Sequence, residues 1–231
     1  AIGAAMVVSS NFNKDFKNYK SPYLGTKYSN MEIISSLDKK KYHKKISYKV
    51  ISETNLFDHI AKIISEGNIV GWFQDEMEFG PRALGNRSIL ADPTNPNMKD
   101  IINKKIKKRE SFRPFAPVTL REYQNDWFES KFISQYMSSL SIVKKNKQAI
   151  IPAVTHIDGT ARVQIVEKKT NYKFASLIES FKNITNVPVL LNTSFNENEP
   201  IVMKPEEALD CILRNDLDYL VMNNLVIKKI Y

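Results

Sequence analysis

The sequence has a single cysteine, Cys211, which excludes an internal disulfide framework and fits a reducing compartment. It has no apolar run of the ~18–20 residues that a membrane span requires. No positively charged segment followed by an apolar stretch marks a signal peptide. Its three histidines, His43, His59 and His156, are scattered, with no spacing that puts two on one helix face, so no metal site is legible. Neither the cysteine nor any serine has a recognisable His/Asp escort, which argues against a nucleophilic enzyme. Internal repeats are missing, as is low-complexity sequence beyond lysine-rich patches. The chain also lacks an initiator methionine. Ala1 to Met6 reads as the interior of a small-residue helix, followed by a polar stretch from Ser9 to Lys20 and a turn-rich connector from Ser21 to Gly25. Such a helix cannot bury its surface alone, so residues 1–20 are expected to be the end of a preceding domain.

The 231 residues suffice for one large domain with a buried core. The formal surplus of +9 suggests an anionic partner, whose kind depends on where the charges sit. Apolar spacing predicts a helix from Met31 to Leu37 capped by Asn30, a strand over Ile46 to Ile51, and a helix from Asn55 to Gly67. Ile69 to Phe73 reads as a buried strand, and 97–108 as a helix with lysines on its outer face. Strands are expected at Phe115–Leu120, Met137–Val143, Ala161–Val166 and Pro188–Leu191. Helices are expected at Tyr172–Ile184 and from Pro205. Tyr219–Met222 and Leu225–Ile230 should pair across Asn223-Asn224. Interleaved helices and strands argue for an open α/β or α+β sheet, with residues 21–50 as linker and first elements and 51–231 as the main domain.

Four segments carry polar residues where a core does not call for them. In Glu78-Phe79-Gly80-Pro81-Arg82-Ala83-Leu84-Gly85-Asn86-Arg87-Ser88, a tight turn can aim backbone amides at an anion, with Arg82 and Arg87 adding charge. A structural turn with solvated arginines is the plain alternative. In Lys107-Lys108-Arg109-Glu110-Ser111-Phe112-Arg113-Pro114-Phe115, a lysine closing a helix complements its dipole. Arg113 is restricted by apolar neighbours, so its guanidinium either forks onto a phosphate or carboxylate or pairs with Glu110. In the stretch from His156 to Gln164, Asp158-Gly159 makes a turn, and Arg162 and Gln164 should share one side of the next strand. His156 is a ligand-orienting or acid–base group, or a hydrogen-bonded turn residue. Finally, the strand from Pro188 opens into Asn192-Thr193-Ser194-Phe195-Asn196, a hydroxyl–amide loop at the end of a strand, where α/β sheets tend to bind ligands. Together these segments describe a site for a ligand with several negative charges, such as a nucleoside triphosphate or an acyl phosphate.

As a set in this order, the four segments resemble the C-terminal region of the O-carbamoyltransferases, from about Pro22 to the C-terminus. That resemblance implies a YrdC-like twisted open α/β sheet with flanking helices. It implies that carbamoyl phosphate and ATP, with Mg²⁺ accompanying the nucleotide, are converted to carbamoyl-adenylate with release of phosphate and pyrophosphate. Arg82, Lys107 and Arg113 would be the catalytic cations. Arg162, Thr193, Ser194, Asn196, Arg87 and His156 would bind substrate or nucleotide. Transfer to a hydroxyl acceptor would belong to an amino-terminal metal-binding domain whose metal site is not in this chain, so the chain alone is not expected to complete transfer. A cytoplasmic location is expected, with neither nucleic acid nor membrane as partner. The alternatives are an RNA-binding YrdC-like module, using Lys39-Lys40-Lys41, Lys44-Lys45 and Lys104–Lys108, and a non-catalytic structural domain.

Overall fold

A computed structural model describes residues 2–12, 21–130 and 134–230; residues 13–20 of the expected preceding-domain remnant lie outside them. In chain order the elements are α1 (Ile2–Phe12), α2 (Asn30–Leu37), β1 (Ile46–Val50), α3 (Glu53–Ser65), β2 (Val70–Phe73), β3 (Arg87–Ala91), α4 (Met98–Lys105) and β4 (Ala116–Leu120). There follow α5 (Gln124–Trp127), β5 (Phe128–Glu129), β6 (Ser141–Val143), α6 (Lys145–Gln148), β7 (Thr160–Ala161), β8 (Gln164–Val166), α7 (Tyr172–Thr185), β9 (Val189–Ser194), α8 (Pro205–Arg214), β10 (Tyr219–Met222) and β11 (Leu225–Lys229).

Eight strands form one mixed sheet in the order β1-β11-β10-β2-β3-β9-β4-β8, and β5, β6 and β7 form a small second sheet. Among the described residues, only β10–β2 and β4–β8 pair in parallel. Every residue of β2, β3 and β4 is buried, so the centre of the sheet is covered on both faces. Helices α3 and α7 pack against each other, α7 also touching β9 and β4, while α8 lies on β10 and β2 and carries α2. The expected α/β sheet with flanking helices is the fold observed. Residues 21–50 are woven into it. β1 is the edge strand on β11, and Tyr23 bridges to Glu78. The helix expected near the start forms as α1, with Val7, Val8 and Phe12 exposed.

Local differences have local causes. The cap of α2 is Ser29, not Asn30, because Glu32 closes a reciprocal capping box with it. α3 starts ahead of Asn55, at Glu53. The 97–108 helix stops at Lys105, where the Lys107 amide reaches back to Ile102 and Lys108 turns left-handed at φ 44. Only Ser141–Val143 of the expected 137–143 strand is extended, since Met137 itself has φ 54. The 161–166 strand is broken. Its first half joins the small sheet and its second half the large one, so Arg162 and Gln164 do not share a strand face. The hairpin over Asn223-Asn224 forms with Met222 opposite Leu225.

Candidate active site

β9 runs antiparallel between β3 and β4, pairing Ser88 with Ser194 and Ala116 with Asn192. The end of β9 therefore meets the beginnings of both neighbours. β8, parallel to β4, brings the segment just after Arg162 to the same end of the sheet. A cleft of about 380 Å³ opens there, and its wall includes Arg82, Arg109, Arg113, Arg162, Thr193 and Ser194. The four guanidiniums come from three separate loops. Among the described residues, none of them forms an ion pair with a carboxylate. Arg113 touches Glu110 only through the backbone, at 3.3 Å, so the Glu110 pairing is not formed. Burial lowers the pKa of Arg109 and of Arg162. Repulsion from Arg113 adds to the first and repulsion from Arg82 to the second.

Lys107 supports this wall from behind. The break in α4 turns it inward, and it is 2% exposed. Its Nζ donates to Ser194 O (2.6 Å), Asn196 O (2.8 Å) and Asn196 Oδ1 (2.7 Å), and lies 3.2 Å from Ser194 Oγ. Ser194 Oγ donates in turn to Asn196 Oδ1 at 2.7 Å. Burial, then repulsion from Arg109, pulls the ammonium down to about 7, while the ring of oxygen acceptors favours its charged form. The expected hydroxyl–amide loop is thus held in one arrangement by a single buried cation.

Two residues expected at the site are elsewhere. Arg87 is fully buried, with its guanidinium stacked on Phe73 at 3.6 Å and donating to the carbonyls of Gln74, Asp75, Asn86 and Thr26. Desolvation lowers it to about 10. It begins β3 and faces inward, so it is a strut of the fold and does not line the cleft. His156 also lies outside the lining, with Nδ1 3.0 Å from Thr160 Oγ1 beyond the Asp158-Gly159 turn. Burial lowers its pKa, Asp158 opposing and Arg162 adding to the shift. Its geometry is that of the hydrogen-bonded turn histidine.

A match to the family described as carbamoyltransferase C-terminus covers residues 61–229. The chain belongs to that family. Nodulation protein NolO of Bradyrhizobium diazoefficiens is 39% identical over 235 residues, covering 99% of this chain and 42% of NolO. An uncharacterized protein of Synechocystis sp. is 40% identical over 256 residues, covering 99% of this chain and 41% of the relative. The chain thus spans about two fifths of the length of these two relatives. The crystal structure of full-length HypF in its phosphate- and nucleotide-bound form superposes with a TM-score of 0.51 at 18% identity, over 78% of this chain and 22% of HypF. That likeness shows the fold.

Three residues beyond those the motifs single out shape this cleft or the loops around it. Arg109 stands in the quoted motif but carries no local cue; what brings it to the cleft is the break in α4 and its contact with the Phe115 ring at 4.9 Å. Glu78 is 4% exposed, and its Oε1 accepts the amides of Leu84 (2.6 Å), Asn86 (2.8 Å) and Arg87 (3.1 Å). Those amides, expected to face an anion, instead clamp the Arg82 loop onto a carboxylate. A buried glutamate directly before Phe79-Gly80-Pro81 was the available signal. The third residue, Asn192, joins β9 to the same loop through its amide. No helix among the described residues is long and apolar enough to cross a membrane.

Proposed function

We propose that the cleft binds carbamoyl phosphate and ATP and forms carbamoyl-adenylate, the first half of an O-carbamoyl transfer carried out in the cytoplasm. The observation that carries this reading is a cleft walled by four guanidiniums, none ion-paired to a carboxylate among the described residues, beside a loop anchored by buried Lys107. Unpaired, partly desolvated cations stabilise charge on phosphate groups far more than solvated ones do.

Atom balance requires one water. Water cleaves carbamoyl phosphate to carbamate and phosphate; a carbamate oxygen then attacks the α-phosphorus of ATP, and the P–O bond to pyrophosphate breaks. Arg82, Arg113 and Arg162, with Arg109, hold the phosphates and neutralise charge on the leaving groups. Ser194 and Thr193 position the acyl or nucleotide part, while Asn196, outside the lining and bonded through its amide to Lys107, Ser194 and Glu199, joins Lys107 in keeping that loop in place. The wall of cations includes no carboxylate for Mg²⁺, and among the described residues no group of three or more His, Cys, Asp or Glu clusters. Mg²⁺ would therefore be held mostly by the nucleotide's own phosphates and water. Transfer to an acceptor hydroxyl belongs to the amino-terminal part that longer relatives carry. On this reading residues 51–231 form the activating domain, with 21–50 bracing it and 1–20 belonging to what precedes.

Lys39 and Lys41 are engaged by Glu206 and Asp210, which removes part of the basic run that an RNA-binding reading needs. The test is calorimetric titration with ATP and Mg²⁺, with and without carbamoyl phosphate, on wild type and Arg113→Ala. Saturable binding that the substitution abolishes supports the reading, and carbamoyl-phosphate-dependent pyrophosphate release completes it. Folded protein that binds neither ligand refutes it.

A further inference from the structure

Among the described residues lining the cationic cleft, two buried polar atoms have no partner: Arg162 Nε, a donor, and Asn192 Oδ1, an acceptor. The acceptor is the unusual one, because guanidiniums donate only and a wall of them suits a ligand made of acceptors. Asn192 is 1% exposed, so its oxygen is not satisfied by bulk water.

Its orientation follows from fixed carbonyls. Leu84 O accepts only, so the Gln164 amide must present its NH₂ there, at 2.7 Å. That turns Gln164 Oε1 toward Asn192, which must answer with its own NH₂, at 2.7 Å. Ala83 O, 3.2 Å from the same Asn192 Nδ2, enforces the same choice. The polarity of the chain from Leu84 through Gln164 to Asn192 is therefore set at its backbone end, and Asn192 Oδ1 is left over.

One unpaired donor and one unpaired acceptor are what a planar carbamoyl group complements, its carbonyl accepting and its NH₂ donating. We infer that Asn192 Oδ1 receives the N–H of the carbamoyl group, with Arg162 Nε toward its carbonyl, and so selects carbamoyl phosphate over acyl phosphates that lack the amine. This rests on the carbamoyl-phosphate reading of the cleft. Acetyl phosphate has nearly the same shape, with CH₃ for NH₂, and seating it leaves the asparagine oxygen unpaired. A site built to hydrogen-bond a substrate N–H rejects an analogue lacking it by a wide margin, so a preference of at least about ten-fold is expected.

The experiment is calorimetric titration of the intact protein with inorganic phosphate, acetyl phosphate and carbamoyl phosphate, in wild type and Asn192→Leu. The expected result is a carbamoyl-over-acetyl affinity ratio of about ten or more in wild type that falls towards one in the variant. Should Asn192→Leu not fold, Asn192→Ala removes the same oxygen without added bulk and carries the same expectation. A wild-type ratio near one, with all three ligands bound, overturns the role of Asn192 and leaves the anion site standing. A high ratio that survives the substitution overturns it too. Wild-type protein that binds none of the three, phosphate included, fails the reading of the cleft itself and takes this inference with it.

Discussion

Two clefts of nearly equal volume show what distinguishes a basic surface from an anion site. The first, about 380 Å³, has four arginines and no carboxylate partner for them among the described residues. The second, about 370 Å³, includes Lys27, Lys173, Asp75 and Asn223 in its wall. There the charges are balanced: Lys173 lies 2.9 Å from Asp75, and Lys27 lies 3.7 Å from Asp75 and 3.3 Å from Glu76. Cations that already have partners gain little from a phosphate, because each new contact replaces an old one. Unpaired ones relieve mutual repulsion by binding it. Arg87 lines neither cleft. It ends the loop that carries Arg82 and donates to the carbonyl of Asp75.

That strut gives the largest expected effect. Arg87→Ala should destabilise the fold by about 3–5 kcal/mol in denaturant unfolding, since it strands several buried carbonyls and leaves a void beside Phe73. Arg82→Ala, five residues earlier and exposed, should leave stability within about 0.5 kcal/mol and act on anion affinity instead. If both arginines behave alike, the division between strut and site is wrong.

Next in size is Arg113→Ala, expected to weaken phosphate binding roughly ten- to hundred-fold by titration, the value of one charge-assisted hydrogen bond. Smaller again is a pH effect. Burial pulls the Lys107 ammonium down to about 7, below the ordinary lysine value, and a bound anion should raise it, so binding takes up a proton. Affinity is then full below pH 7 and falls as pH rises beyond it, by at most about ten-fold per unit. Comparing wild type with Lys107→Met between pH 6.5 and 8.5 cancels the titration of the phosphate itself; equal slopes in the two proteins would remove Lys107 from the site. The smallest effect is Lys173→Ala in the balanced cleft. Phosphate affinity should stay within about two-fold and stability within about 1 kcal/mol, as for a partly exposed ion pair. A loss to match Arg113→Ala would erase the contrast between the clefts.

Periodicity made most of the sheet legible, because buried strands such as Val189–Leu191 and amphipathic helices such as α7 are specified by their own side chains. β3 is not legible in the sequence: it begins at an arginine, and its stacking on Phe73 together with its bonds to backbone carbonyls explains a charged residue at a fully buried position. The same fact misdirected the assignment of Arg87 to the site. Arg162 and Gln164 were separated by a change of sheet that no local pattern announces. Arg82, Arg113, Arg162, Thr193 and Ser194 do meet in one cleft, as their motifs implied. Glu78 and Asn192 stand in the motifs without a role of their own, because that role comes from their partners: nearby backbone amides for Glu78, and Gln164 and Ala83 across the fold for Asn192.

The antiparallel placement of β9 between β3 and β4 has a kinetic consequence. Its pairings join residues about a hundred positions apart on the β3 side and about seventy apart on the β4 side, so loop closure on that scale must precede any complete cleft. On the proposed reading, a phosphate ligand would recognise only chains whose central sheet has closed, and by mass action it would stabilise that closed population. Amide exchange in β3, β4 and β9 should slow together when the cleft is filled, including at positions that never touch the ligand.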